Sequence, residues 1–172
     1  MENHLKEIMA SITREVHFRL REESVPRIRK CLGQLTDEEI WRRPNSNLVS
    51  VGNLVVHLCG NVRQYVMFGL GNEPDHRQRQ AEFDQREIIP REKLLEELDR
   101  LMVDVKRVLN TLTPDVLTKT YNIQGIDITG FGILMHVVEH FSYHVGQITW
   151  YTKLVKDVDL GYYEGHDLNI TG

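Results

Sequence analysis

LMHVVEHFSYHVGQ, residues 134–147, sets His136, His140 and His144 at successive four-residue steps inside a largely apolar run. Four residues make about one turn of an α-helix, so side chains at i and i+4 stand on one face, one above the other. Val137, Phe141 and Ile148 occupy the same run, and the stretch reads as the centre of a long helix from about Thr129 to Lys156. Each i+4 step drifts roughly 40° around a helix of 3.6 residues per turn. All three histidines therefore need not converge on one point, whereas His140 and His144 can.

Working outward, residues 119–128 (KTYNIQGIDI) alternate and turn at Gln124-Gly125, which predicts a small hairpin before that helix. A third helix is expected from Pro90, a residue suited to a first turn, to about Leu112. Leu94, Leu98, Leu101, Val105 and Val108 would face in, and Thr113-Pro114-Asp115 restarts a short turn. Residues 71–89 are the longest polar stretch, read as a crossover or a flap near the site. The second helix begins after Ser50 as N-cap and runs to about Leu70, with Leu54, Leu58, Val62, Tyr65 and Phe68 inward and Gly69/Gly71 ending it. Thr36-Asp-Glu-Glu39 is a capping box opening a short helix through Trp41. Residues 3–32 form the first helix, with Leu5, Ile8, Met9, Ile12, Val16, Leu20 and Ile28 inward. Pro26 should kink or break it, and Gly33 should stop it. The tail from Asp157 reads as irregular. The result is an all-α, four-helix bundle with a crossover, a single domain over 1–172.

Composition narrows the partners. The chain has 172 residues, 21 basic against 25 acidic, for a net charge of −4. No basic face is concentrated enough for nucleic acid, and no window approaches the ~20 apolar residues of a membrane span. The two cysteines, Cys31 and Cys59, fit a reducing compartment rather than a disulfide scaffold. The N-terminus carries no apolar signal region. A cytoplasmic location is expected.

Histidine is the compositional outlier, with eight residues. Burying two imidazoles in an apolar stripe costs free energy unless their nitrogens find partners. Backbone or carboxylate partners would suffice. A metal ion would satisfy one nitrogen on each ring, and that reading is preferred for His140 and His144. His57 offers a third ligand, on a line with Asn53, Asn61 and Gln64 along the second helix. That line is either a solvated stripe or the polar side of a bundle-core site. Asn61 and Gln147, one turn beyond ligands, are candidates for orienting water or an imidazole; His136, one turn before His140, is a candidate for supporting a ligand, although packing at the helix entry is the preferred reading. Glu139 lies about 100° from His140 and reads as a solvated residue. Cys59 faces away from His57, and Gly60 and Gly146 are read as permitting close helix approach.

Ser50-Val-Gly-Asn-Leu-Val-Val-His57-Leu, followed by His140-Phe-Ser-Tyr-His144-Val-Gly-Gln147, resembles the DinB superfamily, with its YfiT-type metal-dependent hydrolases and bacillithiol S-transferases. Trp41-Arg-Arg-Pro44 resembles the family's linker before the second helix. Valine follows His144 where many members carry arginine or threonine. The resemblance spans nearly the whole chain. It implies an up-down-down-up bundle, with His57, His140 and His144 as the ligands of one divalent metal ion. Three histidines leave a coordination position open, as catalytic sites do. Imidazoles suit zinc, nickel, copper or iron, zinc or nickel foremost. The resemblance implies thiol S-transfer to a small electrophile, with a low-molecular-weight thiol as partner. Metal-dependent hydrolysis and a non-enzymatic, stress-associated metal-binding protein are the alternatives. A homodimer through bundle faces is expected.

Overall fold

The computed structural model describes residues 2–171. The first long helix comprises α1 (Glu2–His17), a π-helical segment (Phe18–Ser24) and α2 (Val25–Gln34) without interruption. Pro26 neither breaks nor stops it. Proline has no N–H to give the preceding turn and its ring crowds the carbonyl four residues back. The helix widens just before it, and the Val25 N–H bonds to the Leu20 carbonyl, five residues back. Gly33 is not the stop either: the helix ends after Gln34, where Leu35 turns extended. α3 (Asp37–Trp41) opens on the expected capping box, with Thr36 and Glu39 bonding each other's backbone N–H.

The second long helix is α4 (Val51–Val62) continuing into a π-helical segment, Arg63–Leu70. Ser50 caps it, and Asn53 returns the bond to the Ser50 N–H. The crossover carries a short helix, α5 (Arg79–Asp84), before α6 (Arg91–Leu109) and α7 (Pro114–Thr118). β1 (Thr120–Ile123) pairs antiparallel with β2 (Ile126–Thr129), Ile123 opposite Ile126. The two residues between them, Gln124 and Gly125, both have positive φ (56° and 78°). That is the backbone of a primed hairpin turn, which suits glycine. Thr129 then caps α8 (Gly130–Lys156).

Contacts at one end of the bundle set the helix directions. Lys156 at the end of α8 meets the Glu39 carboxylate at 2.7 Å, and the Tyr151 hydroxyl donates to the Glu39 carbonyl. Arg91 at the start of α6 donates its N–H to Asp37. Trp41, beside Gly52 at the start of α4, donates its indole N–H to the Ile89 carbonyl. The first helix and α8 thus finish where α4 and α6 begin, an up-down-down-up arrangement. Because α4 and α6 run the same way, a crossover the length of the bundle must join them. The first helix packs on α6 and α8, and α4 packs on both as well.

Leu20, Ile28, Leu32, Leu58, Leu98, Leu101, Ile133 and Phe141 lie fully inside. The inward stripes read from sequence fail at two places. Leu5 and Ile8 are 45% and 55% exposed, and Phe68 is also exposed. α6 ends at Leu109, short of Leu112. Among the described residues, no helix is long and apolar enough to cross a membrane.

Candidate metal centre

The polar line along the second long helix is buried: Asn53, His57, Asn61 and Gln64 are all within 9% of full burial. The crossover covers it, and each residue but Asn61 holds a piece of that crossover. Asn53 donates to the carbonyls of Glu82 (2.9 Å) and Gln85 (3.1 Å). Gln64 donates to Asp75 (2.7 Å) and accepts from Arg77 (2.8 Å). His57 Nδ1 stands 2.8 Å from Glu82 Oε2. Arg77 grips the same carboxylate through Nε to Oε1 at 2.7 Å and Nη2 to Oε2 at 2.9 Å. Gly60 leaves the room this needs, since a Cβ there would lie 2.0 Å from Glu82 Oε1. Its role is close approach by the crossover carboxylate rather than by another helix. Gly146 faces open space and has no such role.

Burial pushes the Glu82 carboxyl up, but the bonds from Arg77 and His57 outweigh it and hold it below its usual range. The carboxylate is therefore ionised and only accepts, so His57 carries its proton on Nδ1. Its Nε2 faces α8, where His140 Nε2 lies 2.9 Å away. His144 Nδ1 is 2.7 Å from Gln147 Oε1, an acceptor, so Nε2 is again the nitrogen left free. Burial, then the neighbouring His144 and His57, pushes His140 down to about 3. Burial also lowers His144, against the opposing bond to Gln147. Both rings are neutral at ordinary pH. One nitrogen from each of His57, His140 and His144 lies within 4.8 Å of the others. Three imidazoles converging this way, two of them oriented by acceptors on the opposite nitrogen, form a donor set that fits a divalent metal ion.

The next layer down holds Asn61 and His136, with Asn61 Nδ2 3.4 Å from His136 Nε2. The His136 ring stacks on His140 at 5.3 Å between centroids and 19° between planes. Tyr65 backs it at 4.2 Å. Burial lowers His136 too. So two of the predicted orienting residues, Asn61 and His136, touch each other rather than a ligand nitrogen, and the third, Gln147, touches His144 directly. Glu139 is exposed. Cys59 is buried and its thiol is pushed up to about 12 by that burial, which leaves it inert as a nucleophile. It lines, with Arg77 and Glu82, a cavity of about 830 Å³ that none of the three histidines enters.

Sequence reading missed Arg77 and Glu82. The only signal was the length and polarity of residues 71–89, which marked a flap without indicating which charges it would bury.

A family model described as protein of unknown function (DUF1572) matches residues 9–163, and this is a DinB-like family. A DinB-like protein from Bacillus subtilis superposes with a TM-score of 0.62 at 15% identity, over 82% of this chain and 91% of that one. A conserved protein from Enterococcus faecalis gives 0.63 at 15%, over 90% and 98%. A DinB-like protein from Bacillus cereus gives 0.60 at 17%, over 78% and 87%. At these identities the likeness is one of fold. No curated protein matches the chain.

Proposed function

This chain belongs to the DUF1572 family of DinB-like proteins, and from that premise we propose that it is a metal-dependent enzyme that joins a low-molecular-weight thiol to a small electrophile. One observation carries the reading. Three buried or half-buried imidazoles bring a nitrogen each within 4.8 Å, while Glu82 and Gln147 hold the opposite nitrogens of His57 and His144. Three protein donors leave a position open, and a divalent metal there, zinc or nickel foremost, lowers the pKa of a bound thiol or water. The chain's own part is positioning. Glu82 fixes the His57 tautomer, and Gln147 fixes that of His144. Phe83, 4.7 Å from the His57 ring, shields that side from solvent.

Hydrolysis is the second reading, favoured by His136. It is a neutral, half-buried imidazole stacked on His140 and can take a proton from a group held beside the triad. The reading includes a homodimer, supported by Phe131, Trp150 and Leu154 standing exposed along α8; sedimentation as a monomer at all concentrations would remove that part. The test of the whole is metal content, then turnover. Wild type should carry about one equivalent, as a single triad would, and His57→Ala/His144→Ala little, with helicity intact. A screen of thiols against electrophiles and esters on the loaded protein then separates the two reactions. A wild type that takes up no zinc, nickel or manganese refutes the reading.

A further inference from the structure

We propose that Asn61 and His136 form a subsite beside the triad that binds a hydrogen-bond donor of the substrate, the N–H of an amide or amine or the O–H of an alcohol. It rests on the metal reading above and gives it a substrate class. Asn61 is 4% exposed. Its Oδ1 is, among the described residues, the one buried side-chain polar atom without a hydrogen-bond partner. A buried carbonyl left without a donor costs free energy that an apolar residue of the same shape would avoid. Asn61 lies one turn past His57 on the same face of α4. Its amide nitrogen is set against His136, 3.4 Å away, whose ring stacks on His140. The orphan oxygen therefore belongs to the layer adjoining the three converging nitrogens, and what completes it is a donor the protein does not supply.

Hydrogen-bond polarity narrows the class. Arg77 is taken up by Glu82 and Gln64, and Arg43 by Asn53 and the Phe83 carbonyl. A carboxylate or phosphate oxygen placed against Asn61 Oδ1 would set acceptor against acceptor. An amide, amine or alcohol meets its complement.

The experiment uses the cobalt(II)-loaded full chain and follows the visible bands during titration. The probes are acetohydroxamate, which carries an N–H beside its ligating oxygens, and N-methylacetohydroxamate, which does not. Wild type should prefer the N–H probe, and Asn61→Leu should lose roughly 3- to 10-fold of that preference, the worth of one neutral hydrogen bond. Asn61→Ala, which removes the amide and leaves space, should move the ratio the same way, so the result does not hang on one variant folding. The same ratio in wild type and both variants overturns the subsite. Cobalt(II) bands that never form in the wild type overturn the metal reading, and the subsite with it.

Discussion

Glu82→Ala separates what the crossover carboxylate does for the fold from what it does for the site. The side chains of Arg77 and Glu82 are 4% and 8% exposed. The substitution removes two charge-assisted bonds from Arg77 (2.7 and 2.9 Å) and the acceptor at 2.8 Å from His57. Removing one partner of a buried pair leaves the other charge uncompensated, at a cost of about 3–5 kcal/mol. That is a large part of a typical 5–15 kcal/mol stability. With a urea slope of about 2 kcal/mol per molar, the midpoint of the metal-free protein should fall by roughly 1.5–2.5 M. Arg77→Met/Glu82→Met removes both charges, and stability should return to within about 2 kcal/mol of wild type. His57 still lacks its acceptor in that variant, so metal affinity should stay roughly 10- to 100-fold down. Urea unfolding followed by circular dichroism reads the first quantity, and competition with a chromophoric chelator reads the second. An unchanged midpoint in Glu82→Ala, or wild-type metal affinity in the double variant, would refute the reasoning.

Gly60→Ala should lower metal affinity without touching a ligand, because its Cβ would sit 2.0 Å from Glu82 Oε1 and drive the carboxylate off His57; chelator competition checks it, and an unchanged affinity would mean Glu82 can shift freely. Metal-free protein should lose stability as pH falls from about 6.5 toward about 3. His140 is held down to about 3 by burial and its neighbouring histidines, against 6.5 for the free side chain, so over that window the unfolded chain binds more protons than the folded one. Glu82, also held low, adds to the loss below about 4.5. Melting temperatures from pH 8 to 4 test the sign, with a plateau expected above 7. Phe141→Ala, at a fully buried position between the two α8 ligands, should cost about 3–5 kcal/mol; a loss under 1 kcal/mol would place Phe141 outside the core.

Sequence periodicity was informative wherever one helix face meets the core. Leu94, Leu98, Leu101, Val105 and Val108 are all buried as their spacing requires, and the caps at Thr36, Ser50 and Thr129 are local bonds that three or four residues define. It failed where burial depends on what lies opposite. Leu5 and Ile8 continue the stripe of the first helix and yet stay exposed. Pro26 predicts a break only if the helix cannot widen, and here it does.

The same division holds at the site. The i, i+4 spacing of His140 and His144 is covalent and helical, so sequence alone places them on one face. The polar line on the second helix offered His57 and the resemblance singled it out, but whether that line with Asn53, Asn61 and Gln64 was solvated or buried could not be read from one helix by itself. Tertiary structure decided it by laying residues 71–90 across that face. It set Glu82 and Arg77 against His57 and left Asn61 Oδ1 without a partner. A turn's spacing is fixed by bonds along the chain. The pairing of charges 20 and 25 residues from His57 depends on where a crossover between two parallel helices comes to rest.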